Sequence, residues 1–316
     1  MLAAVLTLAC VGLVLSIMLV IGSRVFYVEV DPRIEELSEN MPGANCGGCG
    51  YAGCSAYAKA LVMEGASTDL CAPGGAEMVQ EIGRIMGVEV GEVIQKVAVV
   101  HCAGDNAHAQ NRFNYIGVKN CSAAAAMGGG FKACPFGCLG LGSCVDACPF
   151  DAIRITPRGV AVVDAEACTG CGNCVDACPK GIISLVPKSE KVHVLCSSTD
   201  KAKAVKNYCD VGCIGCKLCG KESKRFEMKG ALAVLASGDE EIPESAALVC
   251  KPGCIFDGSR YDINEWLETE GPRKDFESRQ KKYKEEQKKL KEARKKAKEA
   301  EKTKKTADSE QKEVTE

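Results

Sequence analysis

The sequence is poor in aromatic side chains and histidine, and it contains neither of the common nucleotide-binding loops. Phe, Trp and Tyr make up 5% of the 316 residues, Trp266 is the only tryptophan, and there are three histidines. No Gly-x-Gly-x-x-Gly pattern opens a helix after a strand, and no P-loop pattern is present. The chain therefore offers no pocket of its own for nicotinamide, flavin or ATP, and no complete active site for two-electron chemistry.

Charge is absent from the first 23 residues, where Leu, Val, Ile, Ala and Met dominate; the first charged residue is Arg24. At ~1.5 Å of rise per residue, a helix of this length matches a hydrocarbon layer of ~30 Å. We predict a transmembrane helix that anchors the chain over residues 1–23. A cleaved signal peptide is one alternative, although it normally begins with basic residues and has a shorter apolar core. A lipoprotein cleavage site before Cys10 is the other.

Cysteine, in contrast, is abundant: all but Cys10 of the 22 cysteines lie between Cys46 and Cys254. Disulfide scaffolds with many cysteines are usually short secreted chains, and zinc sites usually use paired Cys-x2-Cys groups. One run fits neither class, because three evenly spaced cysteines are followed by a fourth that precedes proline. That run is Cys168-x2-Cys171-x2-Cys174-x3-Cys178-Pro179. Its spacing is typical of [4Fe–4S] cubes in two-cluster ferredoxins.

Two-cluster ferredoxins are built from two halves, and each half gives three cysteines to one cube and its proline-linked cysteine to the other. The second half is complete here, and the predicted ligands of its cube are Cys148, Cys168, Cys171 and Cys174. The first half has Leu141 where its middle cysteine is expected. The predicted ligands of that cube are Cys134, Cys138, Cys144 and Cys178. Cys121 or Cys102 in place of Cys134, or a three-iron cluster on three thiolates, are alternatives.

Two further groups of cysteines predict additional cubes. The first group lies in a glycine-rich segment, and glycine permits tight turns with backbone N–H groups close to sulfur. Its members are Cys46, Cys49, Cys54 and Cys71. The second group is incomplete, because Ser223 stands where a fourth cysteine would fall, and its predicted ligands are Cys213, Cys216, Cys219 and Cys250. Zinc, or a ferredoxin half that keeps its fold without metal, is the alternative at this second group.

The chain contains an internal repeat. Residues 97–102 and 192–196 are both short, β-branched segments that end in cysteine and predict strands. Cys134-x3-Cys138 then aligns with Cys209-x3-Cys213. We therefore predict small α+β iron–sulfur domains in five parts. They are an anchor over 1–23, a single-cluster [4Fe–4S] domain over 24–96, a two-cluster ferredoxin-like domain over 97–190, a degenerate ferredoxin-like repeat over 191–258 and a charged, helical or disordered tail over 259–316.

Local patterns predict helices over 55–64 and 76–86, each ended by a glycine. The last segment, 271–316, holds 17 Lys and Arg against 11 Asp and Glu and no cysteine. Apolar residues recur there every seven positions, but the second apolar position of each heptad is mostly polar, so a stable coiled coil is not predicted. The recurring residues are Phe276, Tyr283, Leu290 and Ala297.

The order of these motifs resembles the B subunits of the Rnf electron transport complex, in the long form with additional cysteine modules. The resemblance covers residues 24–258, and its most specific part is the block from Asn45 to Cys54 with Cys71, followed by Cys138–Cys144 and the complete run from Cys168 to Cys178. It implies a bacterial inner-membrane complex that moves electrons between reduced ferredoxin and NAD, coupled to Na⁺ or H⁺ transport. The third cysteine module departs from that form, because its Cys-Pro signals are missing.

The resemblance implies a membrane-anchored electron-transfer subunit of a translocase, with its cysteine-rich body on the cytoplasmic side. Such a subunit takes electrons from soluble ferredoxin and relays them through [4Fe–4S] clusters to other subunits of the complex. Three clusters are expected, and a fourth if the third cysteine module also binds one. Membrane lipid is a further expected partner, and nucleic acid is not. The alternatives are a small iron–sulfur subunit of a soluble redox enzyme and an iron–sulfur carrier or assembly protein, although delivery needs more open ligation than four-cysteine cages give.

Overall fold

The computed structural model describes residues 2–26, 31–238, 240–243, 245–259, 262–268 and, within the tail, 281, 283–285, 288–289 and 292–293. The chain divides into two compact units, one formed by 1–70 with 77–91 and the other by 71–76 with 92–316. Of the four residues in the predicted heptad pattern, only Tyr283 is described. The prediction for most of the tail therefore lies outside the described residues.

Helices dominate the first unit. They are α1 (Leu2–Val25), α2 (Pro32–Asn40), α3 (Cys54–Glu64) and α4 (Gly75–Met86). The predicted helices over 55–64 and 76–86 are confirmed as α3 and α4. Each is followed by a glycine of positive φ, +66° at Gly65 and +67° at Gly87, a conformation that glycine adopts without a steric penalty. Leu37 of α2 and Tyr57 and Leu61 of α3 are almost fully buried.

Helix α1 contains no acidic residue, and its described apolar side chains are exposed; Leu19 is 73% exposed. Side chains of this helix are described at residues 6, 7 and 9–25. Over the residues described in this way, no helix is long and apolar enough to cross a membrane. The transmembrane anchor predicted over residues 1–23 is thus not found as a span.

The second unit is built from short strands and helices. The strands are β1 (Lys96–Val100), β2 (Ile153–Ile155), β3 (Ala161–Val163), β4 (Ile183–Pro187), β5 (Val192–Val194), β6 (Phe226–Lys229), β7 (Leu232–Leu235) and β8 (Ile255–Asp257). The helices are α5 (Cys121–Ala126), α6 (Ser143–Asp146), α7 (Asn173–Ala177), α8 (Ala202–Tyr208), α9 (Cys219–Glu222), α10 (Ser245–Leu248) and α11 (Ile263–Glu268). The strand-like segments at 97–102 and 192–196 are confirmed as β1 and β5.

The strands repeat one nested arrangement. In the first copy (97–190) β1 pairs with β4 and the hairpin of β2 and β3 lies between them in sequence; in the second copy (191–258) β5 pairs with β8 around β6 and β7. All four pairs are antiparallel. Cys178 precedes the start of β4 by the same interval as Cys250 precedes β8. The two copies therefore have equivalent folds, and the equivalence pairs Cys178 with Cys250.

Packed structure continues past residue 258. Helix α11 lies inside the segment predicted as a charged tail, yet Trp266 and Leu267 are buried in the core of the second unit. The ring of Trp266 meets Phe256 of β8 edge to face, with centroids 5.6 Å apart. The apolar side chains of this short helix therefore pack against the end of the second copy.

Candidate iron–sulfur centres

The complete ferredoxin half places its cysteines around one cavity, together with a cysteine from the first half. The cavity has about 290 Å³ of atom-free space, part of it open to solvent. Helix α7 begins after Gly172, whose φ is +88°, and carries Cys174. The backbone N–H of Ala98 in β1 donates to Cys168 Sγ at 3.4 Å. The cysteines that line the cavity are Cys148, Cys168, Cys171 and Cys174.

The surroundings of this cavity fit an iron–sulfur cube. Burial, reinforced by the neighbouring thiols Cys168 and Cys171, raises the pKa of Cys174 to about 12. A thiol of this kind ionises when a metal replaces its proton. The Thr169 hydroxyl also lines the cavity, is buried and has no hydrogen-bond partner among the described residues. This hydroxyl could donate a hydrogen bond to an inorganic sulfide of a bound cube.

In the first half, Cys121 lies close to Cys144, one of the predicted ligands. Burial raises the pKa of Cys144 to about 11, and the thiols of Cys121 and Cys178 are close enough to add to that shift. The backbone N–H of Cys121, at the start of α5, donates to Ser143 Oγ at 2.8 Å, and Ser143 directly precedes Cys144. The alternative with Cys121 therefore has more structural support than the predicted ligand Cys134, which borders a different cavity.

The incomplete module of the second copy also encloses a cavity, with about 330 Å³ of atom-free space. Cys250, a predicted ligand, lines this cavity, and so does Cys254, which the sequence left without a role; their two sulfurs are 3.5 Å apart. A hydrogen bond with Cys254 lowers the pKa of Cys213 to about 6. The complete set of cysteines around this cavity is Cys213, Cys216, Cys219, Cys250 and Cys254.

The three ferredoxin-like cysteine runs share one local geometry. The first cysteine of each accepts a backbone hydrogen bond from an alanine: Cys168 from Ala98, Cys138 from Ala161 and Cys213 from Ala233. Two residues after each of these cysteines comes a glycine with positive φ, at which an added Cβ would press on a nearby backbone carbonyl. Those glycines are Gly140, Gly170 and Gly215. The repeated glycine is therefore required by close backbone approach as well as by φ.

The glycine-rich group is placed differently. Cys46, Cys49 and Cys54 belong to the first unit, and Cys71 falls in the second. Asn45, with φ of +45°, holds the loop by accepting the backbone N–H of Cys54 on Oδ1 at 2.9 Å. A Cβ at Gly53 would lie 2.8 Å from that oxygen and would displace the Asn45 amide from this hydrogen bond. In the part of the chain that the structure describes, no group of three His, Cys, Asp or Glu side chains is arranged to hold a single metal ion.

Comparison with known proteins assigns these segments to families. A family described as "Putative Fe-S cluster" matches residues 41–73, and a "4Fe-4S dicluster domain" matches residues 133–182. The B subunit of the ion-translocating oxidoreductase complex of Methanosarcina acetivorans is 49% identical over 215 residues, which cover 68% of this chain and 81% of that protein. The chain belongs to the Rnf B-subunit family. Within that family, the B subunit of the proton-translocating ferredoxin:NAD⁺ oxidoreductase complex of Clostridium ljungdahlii is 41% identical over 204 residues, or 64% of this chain and 72% of that protein.

The resemblance inferred from the cysteine motifs is thereby confirmed at the level of the Rnf B-subunit family. The B subunit of the Na⁺-translocating ferredoxin:NAD⁺ oxidoreductase complex of Acetobacterium woodii is 45% identical over 202 residues, which cover 64% of this chain and 61% of that protein. The matches to the two cluster families span all the predicted ligands from Cys46 to Cys71 and from Cys134 to Cys178. The ligands predicted in the second copy lie outside both matched segments.

The sequence left Cys196, Cys209 and Cys254 without roles and gave Cys102 and Cys121 only as alternatives to Cys134. The repeat itself carried the missing signal for three of them. Cys102 and Cys196 follow equivalent strands, and Cys209 holds the same place before Cys213 as Cys134 holds before Cys138. The cavity that gathers these equivalent cysteines was not expected.

Proposed function

We propose that this chain relays electrons from reduced ferredoxin, through [4Fe–4S] cubes, to partner subunits of an ion-translocating ferredoxin:NAD oxidoreductase complex. The observation that carries the proposal is the cavity shared by Cys148 of the first ferredoxin half and three cysteines of the second. This crossing of ligands between halves is characteristic of two-cluster ferredoxins. The match to a dicluster domain and the names of the B-subunit relatives support the same function.

The residues that would hold the cubes form four groups. They are Cys46, Cys49, Cys54 and Cys71; Cys148, Cys168, Cys171 and Cys174; Cys121, Cys138, Cys144 and Cys178; and Cys213, Cys216, Cys219 and Cys250. The third group replaces Cys134 of the sequence prediction by Cys121, for the reasons given above. In the fourth, Cys250 is preferred to Cys254 because it is the equivalent of Cys178 in the repeated fold.

Electron transfer of this kind needs no general acid or base from the protein. A bound cube supplies one-electron oxidation and reduction, and the chain supplies position and electrostatics. Backbone N–H groups of Ala98, Ala161 and Ala233 point at ligand sulfurs, where they stabilise the negative charge that reduction adds. Several of the proposed ligands, among them Cys144, Cys174 and Cys219, are buried, which limits the access of water to their sulfurs and helps to set the reduction potentials.

The test is reduction of the anaerobically purified full chain by ferredoxin. We expect the visible absorption of the oxidised cubes to bleach when reduced ferredoxin is mixed in, and Cys171→Ser to lose part of this change. Cys10→Ser, which alters an exposed cysteine of α1 outside every proposed group, should bleach like the parent chain. Bleaching by dithionite without any bleaching by reduced ferredoxin would contradict the proposed donor.

Attachment to the membrane, with the cysteine-rich body facing the cytoplasm, is a separate part of the proposal. It is supported by the names of the relatives, which describe ion-translocating complexes, and by the lack of charge before Arg24. The test is fractionation of cells that express the full chain or a chain without residues 2–25. We expect the full chain in the membrane fraction, and recovery of both forms in the soluble fraction would contradict attachment through this segment.

A further inference from the structure

Four cysteines outside the groups assigned above border one further cavity in the second unit. Two come from the first copy and two from the second. The cavity has about 370 Å³ of atom-free space, against about 290 Å³ and 330 Å³ at the two cavities that carry predicted cube ligands. Its cysteines are Cys102, Cys134, Cys196 and Cys209. The number and type of ligands match what a cube requires.

The four sulfurs are hydrogen-bonded in the same way in both copies. Cys102 Sγ accepts the backbone N–H of Cys138 at 3.4 Å, and the equivalent Cys196 Sγ accepts that of Cys213 at 3.3 Å. Cys134 accepts a backbone hydrogen bond from the residue two positions later, Phe136. Cys209 does the same with Val211. Because equivalent backbone N–H groups of the two copies donate to equivalent sulfurs, the four cysteines form one site with local two-fold pseudosymmetry.

Glycine brings the backbone close to these sulfurs. A Cβ added at Gly104 would lie 3.3 Å from Cys209 Sγ and 3.7 Å from Cys102 Sγ, so sulfurs of both copies face the same point. Added at Gly212, it would lie 2.5 Å from Val205 Cγ1 and 3.6 Å from Cys209 Sγ. The φ of neither glycine is in the left-handed region, so crowding by the side chains that line the cavity, and not turn geometry, accounts for the absence of a side chain.

Backbone contacts hold the two copies together at this place. The N–H of Ala103 donates to Leu195 O at 3.0 Å, and the N–H of Gln110 donates to Tyr208 O at 2.9 Å. His101 bridges the ends of the strands, with Nδ1 2.8 Å from Val194 O. The strands that precede Cys102 and Cys196 therefore end side by side, which leaves their cysteines on one cavity.

We propose that Cys102, Cys134, Cys196 and Cys209 bind a further [4Fe–4S] cube at the junction of the two copies. The cube would lie between the centre that includes Cys138 and the centre that includes Cys213, because ligand sulfurs of the new site accept the N–H groups of those two cysteines. It would gain one electron, ultimately from reduced ferredoxin, and pass the same electron on, with no bond made or broken at the protein. The site goes beyond the proposed function, which needs only the other groups.

Iron and acid-labile sulfide are measured per chain after anaerobic purification of the full chain and of Cys134→Ser, Cys209→Ser and the double variant. One cysteine comes from each copy, and neither accepts the N–H of a ligand of another proposed cube. We expect each single variant to lose about four irons and four sulfides. The double variant should lose no more than either single one, because both remove the same cube. Cys10→Ser is the matched control and should keep the parent content.

Three outcomes would overturn the site. They are an unchanged iron content in Cys209→Ser, an iron loss in the double variant that equals the sum of the two single losses, or a single zinc ion bound at the site in place of a cube. Adding losses would instead place Cys134 on the first-half cube. A second measurement is the mass of the intact anaerobic chain, which should show five cubes in the parent chain and four in Cys209→Ser; the same number of cubes in both chains would overturn the proposal. Neither measurement uses ferredoxin, so failure of the electron donor and failure of this site are distinguishable.

Discussion

At the scale of the residue, Gly170 and Gly172 offer a matched test of why glycine flanks Cys171. Both have positive φ, +73° and +88°, but an added Cβ presses on the Lys96 carbonyl oxygen only at Gly170; at Gly172 the nearest atom is 3.8 Å away. Gly172→Ala should cost about 1–2 kcal/mol of unfolding free energy from backbone conformation alone. Gly170→Ala should cost more and release iron, as measured by urea unfolding and iron content. Equal effects would show that the contact with β1 is unimportant.

The buried Thr169 hydroxyl gives a second prediction at this scale. Hydrogen bonds to cluster sulfur stabilise the reduced, more negative state and so raise the reduction potential. Thr169→Val removes the donor at nearly constant shape, and a hydrogen bond of about 1 kcal/mol corresponds to a potential lower by about 40 mV. Potentiometric titration followed by EPR measures the change. Thr169→Ser keeps the hydroxyl and should keep the potential, whereas equal shifts in both variants would rule out the hydrogen bond.

At the scale of the element, the pairing of β5 with β8 partly buries a histidine. His193 stacks on Phe256, its cross-strand partner, with ring centroids 6.5 Å apart. Burial lowers the pKa of His193 to about 4; Glu190 opposes this shift, while His101 and Lys191 add to it. Because the folded pKa is below the unfolded value of ~6.5, the unfolded chain binds more protons between these values. The stability is therefore fully present above about pH 6.5 and is lost as pH falls toward 4.

The His193→Gln variant tests this dependence, since glutamine does not titrate. Between pH 7.5 and 5.5 the unfolding free energy of the parent chain should fall by up to about 1 kcal/mol more than that of the variant. Urea unfolding under anaerobic conditions measures both chains. Parallel pH dependence in the two chains would show that His193 is protonated without cost in the folded state, against the burial seen in β5.

Elements themselves were predictable where the signal is local. Helices α3 and α4 are each followed by a glycine, Gly65 and Gly87, and the strands β1 and β5 are β-branched, so each element is evident within a short window of sequence. The pairing of β1 with β4 joins residues about ninety positions apart, and no local pattern encodes it. The same is true of Cys121, whose backbone N–H donates to the Ser143 hydroxyl beside Cys144, a contact that its own flanking residues do not indicate.

At the scale of the whole molecule, the second copy lacks every ligand of one cube that the first copy is predicted to hold, the cube on Cys148, Cys168, Cys171 and Cys174. Ser223 replaces the equivalent of Cys148, and no Cys-x2-Cys-x2-Cys run follows β7 as it follows β3. Both sources of ligand for that cube are therefore missing together, while the ligands equivalent to Cys138, Cys144 and Cys178 remain. The sequence motifs were sufficient to place the chain in its family. The junction between the copies depends on how two distant segments meet, and only the three-dimensional arrangement brings its cysteines together.

The architecture of the whole second unit indicates how far its folding depends on bound iron–sulfur cubes. In the described residues the strands form four two-stranded sheets, and such a pair is marginally stable on its own. A quarter of the buried residues in the two cores around them are cysteines, whose thiols would be joined only through the cubes. We expect removal of iron by an anaerobic chelator to unfold the segment 96–257 cooperatively, with loss of amide protection in both β1 and β5 measured by hydrogen exchange. Restoring iron and sulfide should restore that protection. A cube-free chain that kept protected amides in these strands would mean that apolar packing alone maintains the fold.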